Sequence, residues 1–189
     1  MTAVGPTGAV SVRSSTQRVT TMHDIIYALV EVDPDDEYPE DAALGQGKSV
    51  FDELVGIGAH AEPVFDYYTT FDDDSSNVSG PGRYGEKPNA LPVDSHEGAR
   101  MLYNGWKWTC KRFEKNLDEV RSKLDELSNE EVMSDKDFVR NKMYRIGQYK
   151  GSDILLYHQH IGSIRDQRSL DRALDTAENL WIVPADVHY

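Results

Sequence analysis

The chain has 189 residues and carries 33 Asp and Glu against 20 Lys and Arg, a formal net charge of -13. An acidic excess spread along the whole chain disfavours nucleic acid, which rewards clustered Lys and Arg. The single cysteine, Cys110, excludes an intramolecular disulfide and a cysteine-based zinc site, and no apolar run approaches the roughly 20 residues of a membrane helix. The length fits one domain with a substantial core. A reducing, cytoplasmic location fits the cysteine count.

Asp outnumbers Glu, 20 to 13, and Lys is only 9, a composition of proteins that work in high salt. Dispersed carboxylates repel over about 30 Å at 0.01 M salt and only about 3 Å at 1 M. The melting temperature is therefore expected to rise with KCl from about 0.1 to 2 M. Thermal melts along a KCl series check this, and a flat or falling melting point removes the salt-adapted reading.

Residues 1–21 hold no acidic residue and no apolar stripe, so they read as a flexible arm, with the domain over 22–189. Asp24 to Val32 is a β-rich apolar run and predicts a buried strand. Asp41 is placed to cap a helix to about Val55, closed by Gly56 and Gly58. Glu62 to Phe71 predicts a second strand. Asp72 to Pro92 holds three Asp, three Gly and three Pro, a long loop of the kind that usually carries function.

A long helix is expected from Ser95, with Asp94 and Glu97 at capping-box spacing. Its stripe is Leu102, Trp106, Thr109, Phe113, Leu117, Val120, Leu124 and Leu127. Ser128 with Glu131 marks a fresh helix start, and a further helix carries Phe138, Met143 and Ile146. Asp153 to His158 predicts a third strand, Gln167 to Glu178 a short helix and Leu180 to Val183 a fourth strand that continues after Pro184. The order β-α-β, helical insertion over about 95–147, β-α-β is that of an α+β ferredoxin-like split βαβ sandwich.

Four residues stand out as metal ligands. His158 and His160 share one strand face, Asp186 and His188 repeat that spacing, and three imidazoles with a carboxylate suit zinc or iron. The plainer account is strand-end polar residues meeting solvent. Arg83, Tyr84 and Lys87 lie in GPGRYGEKP, whose backbone N–H groups can cradle an anion; the plainer account is an exposed loop with turn glycines. Trp108 lies about 200° from Trp106 on the helix, beside Met101 and Arg112, as a partner-contact surface, unless another helix covers it. Asp66, Tyr68, Tyr27 and Tyr157 are candidate acid-base residues, and tyrosine is also a common strand residue. His23 and His60, at element ends, carry less weight. No nucleophile elbow, HExxH, Walker loop or kinase signature is present.

The segments MHDIIYALVEV, AEPVFDYYTTFDD and LWIVPADVHY, with the acidic composition, resemble small uncharacterised proteins of haloarchaea and their viruses. The resemblance covers Met22 to Tyr189. It implies a cytoplasmic, salt-adapted protein and transfers no activity or site residue.

The first expectation is a non-catalytic interaction or regulatory module, a homo-oligomer or binder of a protein partner, with no cofactor, membrane or nucleic acid. The alternative is a small enzyme or ligand-binding domain. Its site would lie under the loop 72–92, using Arg83 and Tyr84 with His158 or His188 and admitting zinc or iron.

Overall fold

In chain order the described elements are β1 (His23–Glu31), α1 (Pro39–Leu54), β2 (Tyr67–Thr70), β3 (Leu91–Pro92), α2 (His96–Glu126), α3 (Asn129–Ser134), β4 (Leu156–His158), β5 (Gly162–Ser163), α4 (Gln167–Asp175) and β6 (Leu180–His188). The structure is a computed structural model. It describes residues 23–58, 63–72, 83–134, 153–175 and 178–188, apart from the side chains at 123 and 132. The N-terminal arm, the helix expected to carry Phe138, Met143 and Ile146, His60 and residues 73–82 of the long loop lie outside the described residues.

The two longest strands, β1 and β6, make the centre of one mixed six-stranded sheet. They pair antiparallel over their whole length, from His23 opposite His188 to Glu31 opposite Leu180. The strand order is β2-β6-β1-β4-β5, and β3 pairs with β6 on the same side as β2. Both faces of the central pair are covered, which is why their sequences read as near-continuous apolar runs. Ile26, Ala28, Val30, Trp181, Val183, Ala185 and Val187 join a cluster under α1 that includes Ala43 and Phe51. The alternate residues Leu29, Leu180 and Ile182 join a second cluster with Met101 of α2 and Leu170 and Ala173 of α4. Burying this much branched aliphatic surface is the main stabilising term, at roughly 25 cal/mol per Å².

Pro184 lies in the middle of a central strand, a place proline normally avoids. Its partner on β1 is Tyr27, whose N–H turns the other way, to the Leu155 carbonyl. On its far side β6 pairs with β3 only at Trp181 and Ile182 and with β2 only from Ala185 onward. The missing N–H of Pro184 falls in that gap and leaves no partner unmet.

The ferredoxin-like expectation is not confirmed by this pairing. Its first half has the split βαβ form: β1 and β2 are both antiparallel to β6, which lies between them. Its second half does not. β4 is parallel to β1 and β6 is antiparallel to it, so β4 and β6, the two strands expected on either side of the second helix, run oppositely. The cause is a hairpin: β4 turns at Gly162, which has φ +76, into β5, reversing the chain before α4.

Local signals also differ from expectation. Pro39 starts α1 at its first turn, with no side-chain cap; Asp41 lies inside that turn. The cap of α2 is Ser95, whose Oγ accepts from Gly98 N at 3.0 Å, in place of Asp94. Ser128 and Glu131 do form the expected capping box at α3: Ser128 N donates to Glu131 Oε2 at 2.8 Å and Glu131 N to Ser128 Oγ at 3.3 Å.

α2 is 31 residues long, about 46 Å, and approaches the sheet through glycines. A Cβ on Gly98 would lie 2.0 Å from Pro92 O, and one on Gly105 would lie 2.8 Å from Leu156 Cδ2 and 2.9 Å from Tyr27 Cδ2. This contact turns the buried face toward Gly98, Met101, Gly105 and Thr109. Met101, expected beside Trp108 on a contact surface, is therefore core, at 7% exposure. Trp108 remains half exposed.

Candidate functional site

The antiparallel register of β1, β6 and β2 builds a polar row at one end of the sheet. His188 lies opposite both His23 on β1 and Tyr67 on β2; one step along, Asp186 lies opposite Ile25 and Thr69. Cross-strand neighbours bring side chains within contact. Accordingly the His188 ring stacks on Tyr67 with centroids 4.9 Å apart and meets the His23 ring edge-on, also at 4.9 Å. At this end the apolar runs of β1 and β6 give way to charge.

Each imidazole is held by a carboxylate at the same ring nitrogen. His23 Nδ1 is 3.1 Å from Asp186 Oδ1, and His188 Nδ1 is 3.0 Å from Asp66 Oδ2. The first pair is interior: the His23 and Asp186 side chains are 7% and 2% exposed. The second is outward, with Asp66 69% exposed. Arg83 donates from Nη1 to Asp186 Oδ2 at 2.8 Å and also touches His23 Nδ1. Nδ1 can answer only one of its two neighbours. A buried carboxylate short of a donor costs more than a guanidinium N–H that can reach water, and the Arg83 side chain is one-third exposed. The proton therefore sits on Nδ1 and points to Asp186, which leaves the Nε2 lone pair as the basic atom. At His188 the neighbour of Nδ1 is the Asp66 carboxylate, which can only accept, so that proton sits on Nδ1 as well. A carboxylate orienting an imidazole through Nδ1 is the arrangement of a general base.

Tyr84 lies close to the row. Burial first, then the Asp186 and Asp24 carboxylates, push its phenol up against the opposing pull of Arg83, so it remains a protonated donor. Asp24, the residue after His23 on β1, faces the other way and its Oδ2 accepts from Arg112 Nη2 at 2.6 Å.

The sequence candidates thus divide. Arg83, Tyr84, Asp186 and His188 come together; Lys87 instead lies 6.0 Å over the Phe71 ring. Arg83 pairs with Asp186, so the two cations read as one anion site face different partners. His158 and His160 lie elsewhere: His158 is opposite Leu29, well along β1 from His23. Tyr68 donates to Asp52 at 2.8 Å and Tyr157 is core. Of those acid-base candidates Asp66 alone reaches the row. His23, which carries little weight in the sequence, and Tyr67, which the sequence does not single out, also belong to the row. Their signal lay only in the register of strands far apart in sequence.

His158 has the opposite tautomer. Its Nδ1 accepts from the backbone N–H of His160 at 3.1 Å and of Ile161 at 3.4 Å. The proton is then on Nε2, which is buried without a hydrogen-bond partner and 3.7 Å from Glu31 Oε1. An Nε2–H has no lone pair to offer a metal, and among the described residues no group of three or more His, Cys, Asp or Glu is placed to hold one. Burial lowers the His158 pKa below 6.5, against an opposing pull from Glu31. The unfolded chain thus binds more protons than the folded one as pH falls through 6.5, and stability falls with it. Replacing His158 by Asn keeps an acceptor for the two N–H groups and removes the titration. Melts between neutral pH and about pH 5 are expected to show a shallower loss in the variant; an equal loss contradicts this.

A cavity of about 420 Å³ lies apart from the row, between the end of α1 and the β4–β5 hairpin, lined by Val50, Leu54, Val64, Tyr157 and Ser163 among others. It holds none of the row's imidazoles or carboxylates.

The class of protein defined so far is an α+β domain with a mixed sheet and a carboxylate-oriented imidazole pair at one end. The chain belongs to a family described as a domain of unknown function, DUF7995, whose model matches residues 22–189. No curated protein and no solved structure matches the chain. Among the described residues no helix is long and apolar enough to cross a membrane.

Proposed function

We propose that the domain binds a small polar ligand at the Tyr67–His188–His23 row and acts on it by proton transfer. The observation that carries this reading is Asp186, 2% exposed, held between His23 Nδ1 and Arg83. A buried carboxylate that orients an imidazole is costly to keep, and such groups concentrate at functional sites. The inner pair His23–Asp186 is the fixed element; His188, backed by Asp66 and stacked on Tyr67, is the outer base, with Arg83 and Tyr84 as donors to a carbonyl or carboxylate.

A metal reading is weaker. Carboxylates behind imidazoles also support metal ligands, but a catalytic zinc site uses three protein ligands, and this row offers two ring nitrogens while its carboxylates are engaged behind them.

The test is a titration of the protein with a panel of small carbonyl, carboxylate and phosphate compounds, followed by NMR of the histidine rings. At least one compound is expected to shift the His188 and His23 signals without moving those of His158, and His188→Ala should abolish the shift. If no compound moves these rings, or all three rings move together, the proposal fails.

A further inference from the structure

Charge is segregated on this acidic chain. Between Arg100 and Lys115, α2 carries five cations, Arg100, Lys107, Lys111, Arg112 and Lys115, and one acid, Glu114. Between Asp33 and Asp41 the chain carries six acids, Asp33, Asp35, Asp36, Glu37, Glu40 and Asp41, and no cation. Helical spacing puts Arg100, Lys107, Lys111 and Lys115 on one face of α2, and all four are exposed.

Aromatic rings complete that face. Trp108 is 51% and Tyr103 60% exposed. Lys111 Nζ sits 4.5 Å over the Trp108 ring and Lys107 Nζ 5.5 Å over Tyr103, which holds both ammonium groups at the surface. Among the described residues no carboxylate forms an ion pair with Lys107, Lys111 or Lys115, and no cation pairs with the six acids of 33–41. The acidic segment also carries an exposed aromatic, Tyr38, at 63%.

We infer that the Arg100–Lys115 face of α2 docks on the Asp33–Asp41 segment of a second copy of this chain. Charge complementarity selects that occupant. Each face presents the charge that the other lacks, both carry exposed aromatic rings, and complementary potentials fix register and partner. One copy does not make the contact with itself: α1, which the acidic segment enters, and α2 pack in the main against different core clusters, on opposite faces of the sheet. The contact is therefore head-to-tail. A polyanion such as nucleic acid is the competing occupant, and the chain's net charge of -13 opposes it.

The salt sign separates this contact from the stability of the fold. Attraction between exposed charges fades as the screening length shortens, so association should weaken with added KCl while the melting temperature rises.

The experiment is analytical ultracentrifugation of the full chain at low salt, over a range of concentrations. The wild-type chain is expected to self-associate. Lys107→Glu with Lys111→Glu should weaken association by about tenfold or more, as should Asp35→Lys with Glu37→Lys. Each variant destroys one face and keeps the other, so mixing the two should restore a one-to-one complex. Circular dichroism melts confirm that both fold, since all four positions are exposed. A monomeric wild-type chain at every concentration overturns the inference. So does unchanged association in both variants, or a mixture that stays monomeric. Quenching of Trp108 fluorescence by single-stranded DNA in a monomeric chain would give the face to nucleic acid and also overturn it.

Discussion

Gly98→Ala is expected to destabilise the domain by about 2–3 kcal/mol, although it replaces glycine by the best helix former. On helix propensity alone the change would stabilise by up to about 1 kcal/mol. The surroundings reverse the sign. The new Cβ would lie 2.0 Å from the Pro92 carbonyl oxygen and 3.0 Å from Ser95 Oγ. That carbonyl is backbone and already accepts from Ser95 N at 3.1 Å and Ser95 Oγ at 2.7 Å. Pro92 is tied to Trp181 through β3, so it cannot give way cheaply. Relieving the clash breaks the Ser95 cap, which costs about 1 kcal/mol, and overpacking adds about 1–3 kcal/mol more. Gly45, exposed on α1 with nothing within 4 Å of a Cβ, is the control: Gly45→Ala should stabilise by about 0.5–1 kcal/mol. Urea melts of both variants check the pair. Equal signs would contradict the close approach of α2 to β3.

Asp186→Asn is expected to cost about 2–3 kcal/mol, less than the 3–5 kcal/mol of a fully buried pair because Arg83 is partly solvated. The shape is kept and the charge is lost. His23 then no longer faces a carboxylate at Nδ1, and Arg83 loses its buried acceptor. For a chain of this length that is a fall in melting temperature of roughly 4–12 °C. Asp66→Asn, at a 69% exposed carboxylate, should change stability by under about 1 kcal/mol. Differential scanning calorimetry distinguishes them. Equal effects would contradict the inner and outer assignment of the two pairs.

Strand and helix identities were legible where local pattern decides. The apolar run Asp24 to Val32 became β1, and the Ser128–Glu131 spacing became a capping box. Topology was not legible, because the reversal at Gly162 depends on a two-residue strand too short to show periodicity. The rotation of α2 was not legible because its large apolar residues mark one stripe, whereas Gly98 and Gly105 let the helix approach the sheet along another. The site was half legible. Asp186 and His188 stand out by their spacing, and Arg83 and Tyr84 by their loop. His23 joins them only through a pairing across 165 residues of sequence, His23 opposite His188, and no local signal carries that register.

The central claim is that His23 and His188 are oriented through Nδ1 and present Nε2 as a base. Long-range ¹⁵N–¹H correlation of the imidazole rings at neutral pH tests it most directly, because protonated and unprotonated ring nitrogens resonate far apart. The account predicts protonated Nδ1 and bare Nε2 at His23 and His188, and the reverse tautomer at His158, whose Nδ1 accepts from His160 and Ile161. A bare Nδ1 at His23 and His188 would contradict it.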